Sequence, residues 1–239
     1  MTVRLHAGPL PAVGQTWSLP EEAARHAQVR RVQPGDWLRV FDGQGCEHEA
    51  QVQAMGRREV VLCLGSAVPA VPEPVPSITL AVGVPANERM DTLVEKAVEL
   101  GAAAIQPLVC ERSVLRLEGE RAARRQAHWQ AVAVAACEQC GRARVPPVAP
   151  MRDLAGWLAG GFDAPVRLLL SLAGDARALH RLPTPVGPVV VLSGPEGGLT
   201  PAEEARAHAA GFEPLSLGPR VLRADTAPLA LLAGLLLRG

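Results

Sequence analysis

The sequence predicts an α/β protein of two domains: a small N-terminal β-barrel, then a larger domain on a mostly parallel sheet covered by helices on both faces. Three observations predict it. A proline-rich stretch, AVPAVPEPVPS at residues 67–77, divides the chain; Pro69, Pro72, Pro74 and Pro76 bar a helix and favour an extended, solvated connector. Before it, short strand-like runs are separated by turn residues, and after it, continuous apolar strands alternate with helical segments. The 239 residues exceed the roughly 100–200 of a typical domain, which suits a division at 1–70 for the barrel, 71–77 for the linker and 78–239 for the larger domain.

In the barrel, Trp37 to Phe41, Glu49 to Gln53 and Val60 to Leu64 are the strand-like runs. Pro34-Gly35-Asp36, Asp42-Gly43-Gln44-Gly45 and Gly56 punctuate them. One helix is predicted over about residues 20–31, with Pro20 at its start and Glu21 and Glu22 in the first turn, where acids suit the helix dipole. Beyond the connector, Ile78 to Val84 predicts a strand and Glu88 to Leu100 a helix, with Gly101 as its C-terminal left-handed residue. Ala103 to Cys110 is the next strand. A long helix follows at about Gly119 to Gln139 and a shorter one at Met151 to Ala159. Val166 to Leu172, apolar but for Arg167 and Ser171, and Pro188 to Leu192, apolar throughout, read as strands buried on both faces. Thr200-Pro201-Ala202-Glu203 then supplies an N-cap, a proline at the first helical position and a glutamate at the third, and this helix ends near Gly211. Glu213 to Leu217 returns as a strand, and a last helix opens around Asp225 or Thr226 and runs through LALLAGLLL.

A hydrophobic share of 48% with 20% charged residues excludes disorder. Twenty-four basic against twenty-four acidic residues give net charge +0, so bulk charge does not hold nucleic acid or anionic lipid, and any basic surface is local. MTVRLHAGPLPAVG has neither a secretory nor a transit pattern, and a cytoplasmic protein is expected. Leu229 to Leu237 is far shorter than the roughly 20 residues that cross a bilayer, so a buried helix is expected and no membrane partner. Five cysteines, Cys46, Cys63, Cys110, Cys137 and Cys140, are too few and scattered for a disulfide scaffold. Cys137-x-x-Cys140 has redox or metal spacing, but no second pair or histidine set accompanies it, so no metal is expected. The six histidines form no ligand spacing. A lone lysine, Lys96, and the absence of tyrosine reflect base-composition bias. With only three phenylalanines as well, a platform stacking many bases is not expected.

In a parallel sheet, ligands sit beyond the carboxyl ends of the strands, which directs attention to the loops after Leu172, Leu192 and Leu217. The middle one, Ser193-Gly194-Pro195-Glu196-Gly197-Gly198, joins a buried strand to the capped helix and offers glycines that let backbone approach a ligand. It matches neither G-x-G-x-x-G nor a Walker loop, and without a Lys-Ser/Thr pair nucleoside triphosphate hydrolysis is not expected. A ligand-free turn would need only one or two of these glycines. The next loop is Leu217-Gly218-Pro219-Arg220-Val221-Leu222-Arg223-Ala224-Asp225-Thr226-Ala227.

GPEGG after a strand, followed about twenty residues later by LGPRVLRADTA, resembles the paired signature of the RsmE family of 16S ribosomal RNA uridine-N3 methyltransferases, in the SPOUT superfamily. DTLVEKAVELG (Asp91 to Gly101), QPLVCERSVLR (Gln106 to Arg116) and EQCGRARVP (Glu138 to Pro146) resemble that family's other blocks in the same order, and RRVQPGDWLRVFDG resembles its PUA-like domain. The resemblance covers nearly the whole chain. It implies a PUA-like RNA-binding barrel, a SPOUT α/β domain with a deep trefoil knot, which general folding rules would not predict, and a homodimer. It also implies transfer of a methyl group from S-adenosylmethionine to N3 of one uridine of 16S ribosomal RNA, on the assembled small subunit. The cofactor positions it implies are Leu170 and Ser171; Ser193, Gly194, Pro195, Glu196, Gly197 and Gly198; and Leu217, Gly218, Val221 and Leu222.

Uridine N3 carries a proton at neutral pH, so its loss must be assisted or the resulting anion stabilised. Arg223 is the first candidate cation and Arg112 the second; either could instead be a surface or interface arginine. Glu138, Glu111 and Asp225 are candidate bases, with arginine-orienting or helix-capping roles as the alternative. Asp225 departs from the glutamate of the family's LRxETA pattern, which puts proton transfer there in doubt but leaves capping open. For RNA, Arg112, Arg116 and Arg142 belong to a locally basic strip with Arg121, Arg124, Arg125 and Arg144, and Arg30, Arg31 and Arg39 lie on the small domain. The strip could equally be a solvated helix face with internal ion pairs. Two other functions stay open: a SPOUT enzyme acting on another RNA such as transfer RNA, and a non-catalytic RNA-binding assembly protein.

Overall fold

The computed structural model describes residues 2–57, 59–86 and 89–237. Two compact units divide them: the chain through Glu73 together with Val134–Val145, and Pro74–Ala133 together with the described residues from Pro146 onward.

The first unit holds β1 (Arg4–His6), β2 (Thr16–Ser18), α1 (Glu21–Val29), β3 (Trp37–Phe41), β4 (Glu47–Met55) and β5 (Val60–Val68), in a sheet of order β1-β3-β4-β5-β2. Leu38 and Val40 alternate with Trp37 and Arg39 along β3, so one face joins Leu5, Val52, Leu62 and the alanines of α1 in the core and the other meets solvent. Among the described residues the sheet's ladder runs from β1 at one edge to β2 at the other, and β1 pairs in parallel with β3. Both edge strands escaped the sequence because three residues are too few to show a period. β4 begins two residues earlier than expected, at Glu47, a carboxylate only 4% exposed. Arg4 neutralises it through a two-pronged contact, Nε to Oε1 at 3.1 Å and Nη2 to Oε2 at 2.8 Å, and no local pattern signals such a pair. β5 runs on to Val68, into the expected connector, and Glu73 within that connector is ion-paired with Arg142.

The second unit contains β6 (Ile78–Gly83), α2 (Arg89–Glu99), β7 (Ala104–Val109), α3 (Gly119–Cys140), β8 (Arg152–Asp153), α4 (Leu154–Ala159), β9 (Val166–Leu170), β10 (Arg177–Ala178), β11 (Val189–Ser193), α5 (Pro201–Ala209), β12 (Glu213–Ser216) and α6 (Thr226–Leu236), the end of α3 from Val134 belonging to the first unit. Glu88, expected to open the second helix, lies outside the described residues. Seven strands form one sheet of order β10-β12-β9-β11-β6-β7-β8, parallel at every pairing. Ala81, Leu169, Val190 and Leu192 pack with Trp157, Leu158, Ala207 and Phe212 of the α4 and α5 layer. The alternate residues Leu80, Leu168 and Val191 point to the opposite face, and α6 contacts β6, β11 and α2. Burial on both faces is what makes these strands continuously apolar. The fourth helix starts at Leu154 rather than Met151, because Arg152 and Asp153 pair with Leu108 and Val109 as β8 and Asp153 then caps the helix through Gly156 N–H (2.7 Å).

The capping box expected at Thr200 is formed: its hydroxyl accepts from Glu203 N–H, and the Glu203 carboxylate accepts from Thr200 N–H. Thr200→Ala removes one partner of this exchange and should lower chemical-denaturation stability by about 1 kcal/mol. Among the described residues no helix is long and apolar enough to cross a membrane.

Candidate active site

β12, β9 and β11 are adjacent, so their carboxyl-terminal loops converge. They enclose a cleft of about 390 Å³, inside the range of about 300–1,000 Å³ that suits a small molecule. Leu170, Ser171 and Leu172 line it from the first loop; Ser193, Gly194, Pro195, Glu196, Gly198 and Leu199 from the second; Leu217, Gly218, Arg220, Val221, Leu222, Arg223, Ala224 and Ala227 from the third. Glu204 of α5 and Leu215 complete the lining.

The second loop is fastened on three sides. Gly198 N–H closes a turn onto Pro195 O (2.8 Å) with a φ of +67°, a conformation glycine adopts without cost. The Glu196 carboxylate accepts from Ala86 N–H (2.9 Å) and pairs with Arg89 (3.2 Å), which ties the loop to the segment after β6. On another side, Arg112 Nη1 donates to Gly197 O (2.9 Å) and Leu199 O (3.3 Å). Behind it the buried Glu203 also accepts from Glu111 N–H (2.8 Å), joining the start of α5 to the end of β7. Bonds of this kind hold a loop in one shape before a ligand arrives.

The loop's close fit also depends on Gly194 and Gly83. A Cβ at Gly194 would lie 3.0 Å from Leu199 N, and one at Gly83, at the end of β6, only 2.6 Å from both N and Cδ of Pro195. Among the described residues the main-chain N–H groups of Gly194, Leu217 and Leu222 have no hydrogen bond. A largely apolar cleft with free main-chain donors in its loops suits a flat heterocycle with ring acceptors.

The structure distributes the sequence candidates unevenly. Arg223 lines the cleft, exposed, and its guanidinium has no hydrogen bond or ion pair among the described residues; its carbonyl accepts from Thr226 and Ala227 N–H (both 3.0 Å) at the start of α6. Arg112 is not in the lining, because its guanidinium is committed to the loop carbonyls. Gly197 also stands outside it, turned to Arg112, whose Cβ would be 3.0 Å from an added Cβ. Glu138 belongs to the first unit, where its carboxylate accepts from His6 N–H (2.9 Å) and pairs with His26 (2.8 Å); it is not among the residues that line the cleft. Glu111 and Asp225 are not in the lining either. Asp225 occupies the N-cap position of α6 but makes no capping bond to a main-chain N–H; among the described residues its carboxylate accepts only from the Thr226 hydroxyl at 3.4 Å.

The basic strip is divided too. Arg142 is 8% exposed and ion-paired with Glu73, which removes it from any phosphate-binding surface. Arg116 donates to Glu111 O (2.5 Å) and Arg124 pairs with Glu120 (3.4 Å), one helical turn away. Arg30 and Arg31 are exposed, and Arg39, partly covered, lies 3.7 Å from Glu47. Burial pushes the Cys137 thiol up to about 12, so it is a neutral core thiol, and among the described residues no cluster of His, Cys, Asp or Glu is placed to hold a metal.

Two charged cleft residues were missed in the sequence. Arg220 lines the cleft beside Arg223 and likewise has no side-chain partner among the described residues. Glu204 lines it from the first turn of α5, also without a side-chain partner among them. Its signal was available: in TPAEE the capping box commits Glu203 and leaves the next acid free.

The RNA methyltransferase domain family matches residues 71–236, and the RNA methyltransferase PUA domain family residues 19–62. Ribosomal RNA small subunit methyltransferase E of Synechocystis sp. is 33% identical, over 98% of this chain and 77% of the relative. The protein of the same name from Bacillus subtilis is 30% identical over 94% and 93%. The crystal structure of the Neisseria gonorrhoeae ribosomal RNA small subunit methyltransferase E bound to S-adenosyl methionine superposes with a TM-score of 0.93 at 39% identity, covering 98% of this chain and 96% of that one. Likeness at this level, over the full span of both units and their loops, leaves one assignment: the chain belongs to the ribosomal RNA small subunit methyltransferase E family of RNA methyltransferases.

Proposed function

We propose that this chain transfers the methyl group of S-adenosylmethionine to N3 of one particular uridine in 16S ribosomal RNA, acting on the assembled small subunit in the cytoplasm. The observation that carries the reading is the three-loop cleft with two unpartnered guanidinium groups, Arg220 and Arg223, in its lining.

The residues fit the cofactor. Leu170, Leu217, Val221 and Leu222 offer apolar surface for an adenine ring, and the N–H groups of Gly194, Leu217 and Leu222 are free to donate to it. Ser171, Ser193, Pro195, Glu196, Gly197, Gly198 and Gly218 complete the proposed cofactor set, Gly197 by seating Arg112 rather than by contact. Bound there, S-adenosylmethionine supplies an electrophilic sulfonium methyl group. Arg223 places a positive charge where the uracil ring turns anionic as N3 loses its proton. Arg220 is a second cation for the same ring or its phosphate. Arg112 acts as a positioning residue through the loop. Arg112→Ala should therefore weaken S-adenosylmethionine binding about tenfold, the loss of roughly one charge-assisted hydrogen bond, and saturating cofactor should restore most of the turnover. Calorimetry and initial rates at two cofactor concentrations check it.

The trefoil knot is part of the proposal. β12 pairs with β9, and α6, which follows it, packs past β9 on β6, β11 and α2, a long return that supports this reading. So is the homodimer, supported by Leu172 and Val221, which line the cleft yet are exposed. We also keep the division into an RNA-docking domain through residue 70, a linker over 71–77 and a methyltransferase domain from 78, with Arg30, Arg31, Arg39 and Arg116 as RNA contacts.

The test is methyl transfer from labelled S-adenosylmethionine to small ribosomal subunits, naked 16S RNA and bulk transfer RNA, with nucleoside mass analysis. 3-Methyluridine in 16S RNA is expected. Incorporation into transfer RNA alone, or none with any RNA, overturns the reading.

A further inference from the structure

The first unit carries a shallow recess of about 370 Å³ between the end of α1 and the start of β3, lined by Val3, Arg30, Arg31, Val32, Asp36 and Trp37. Trp37 is 57% exposed, whereas Trp129 and Trp157 are buried and Trp17 packs against the core. A single exposed apolar side chain is ordinary on a protein surface. Trp37 differs in how it is seated and in what surrounds it. It leads β3 on the solvated face, opposite Gln51 of β4, and its ring reaches Gly65 of β5, where an added Cβ would lie 3.3 Å from Cζ3. A glycine there lets the indole settle closely on the sheet, with more than half of its surface left open.

Two of the three charged residues that line the recess are positive. Arg31 has a φ of +57°, rare for a residue with a side chain, on the turn that ends α1, and its guanidinium has no partner among the described residues. Arg30 donates from Nε to His26 (3.3 Å), and its terminal nitrogens have no partner among the described residues. Asp36 is the acid of the recess, and its carboxylate accepts from Gln33 N–H (2.7 Å). Farther along the same face of β3, Arg39 is near Glu47 (3.7 Å) and opposite Glu49.

We propose that this recess holds one unpaired RNA base, stacked on the Trp37 indole, with the flanking phosphates taken by Arg30 and Arg31. The inference rests on the RNA substrate proposed above and adds a residue to it. Single-stranded RNA is recognised by splaying a base onto an aromatic face and pairing its phosphates with cations. A protein anchor would instead need an apolar pocket around the ring. Here its surroundings on the sheet are Gln51, Glu49 and Arg39, which a base tolerates because it needs only a ring face.

The experiment titrates the full chain with a short single-stranded RNA, followed by tryptophan fluorescence and by anisotropy of the labelled RNA. Quenching is expected for the wild type and should be lost in Trp37→Phe, which keeps part of the affinity. Trp37→Ala should weaken RNA binding roughly 5- to 150-fold, the equivalent of about 1–3 kcal/mol per stacked base. Its circular dichroism and S-adenosylmethionine affinity should be unchanged. The double variant Arg30→Ala with Arg31→Ala should reduce the salt dependence of log affinity by about 0.7 per lost phosphate contact. Unchanged RNA affinity in Trp37→Ala overturns the proposal, and so does a loss confined to intact subunits, which would make the recess a protein-docking site. Methylation of 16S RNA by the wild type is assayed in parallel: if it occurs while Trp37→Ala binds normally, only the recess fails, and if it does not occur, the catalytic reading fails with it.

Discussion

Replacing Arg223 with alanine lowers turnover by about 10²- to 10³-fold and leaves S-adenosylmethionine affinity within a few-fold of wild type. Removing one preorganised donor from a site where negative charge develops costs about 2.7–4 kcal/mol of transition-state stabilisation. Arg223 qualifies on geometry: it lines the cleft, and no carboxylate among the described residues neutralises it. An arginine kept for structure would have a bonded guanidinium, as Arg112, Arg142 and Arg167 do; Arg167 donates to Ala164, Phe162 and Ala210 carbonyls. Arg223→Lys keeps the charge without the planar fork and should recover part of the rate. The decisive comparison is kcat at saturating RNA and cofactor against cofactor affinity by calorimetry. Unchanged kcat removes Arg223 from the chemistry, and a loss confined to cofactor affinity makes it a binding residue.

The contrast between Arg223 and Arg112 shows where the sequence stops being informative. Both were legible as candidate cations, with Arg223 ahead because it sits in the third loop, but nothing near Arg112 in the sequence showed what its guanidinium holds. What separates them is a pair of hydrogen bonds to carbonyls 85 and 87 residues away. The ion pairs of Glu138 and Arg142 were illegible for the same reason: their partners, His6, His26 and Glu73, are distant in the chain. The parallel sheet, by contrast, was legible because burial on both faces leaves a local mark in VRLLL and VVVLS. The capping box was legible because all its partners lie within four residues. Local causes could be read from the sequence, and pairings across the fold could not. The strand order of the first sheet belongs with the latter, since a three-residue edge strand is defined only by the neighbour it pairs with.

Gly83 is the strongest case of this kind, because the sequence marks it only as the end of a strand. In the fold it faces Pro195, and an alanine Cβ would come to 2.6 Å from two of that residue's atoms and 3.0 Å from the Gly194 carbonyl carbon. Real Cβ contacts are not that short, so either β6 or the glycine loop must move. β6 lies between β11 and β7, and its residues 80–82 are buried, so its position is fixed by two ladders. The loop is the softer partner, held by Glu196, Arg112 and a turn. Overpacking of this size costs about 1–3 kcal/mol. If the loop stays, Gly83→Ala loses that amount of stability in the cofactor-free protein. If the loop relaxes away, stability is kept, but binding must drive it back, and S-adenosylmethionine affinity falls roughly 5- to 150-fold for the same strain. The two losses should therefore sum to a single value, which denaturation without cofactor and calorimetric titration together measure. Because the loop is the softer side, the larger share is expected in affinity, together with a smaller rise in Tm on adding cofactor. Wild-type values in both measurements would show that the loop does not rest on β6, and the preorganisation argued for the cleft would fail with it.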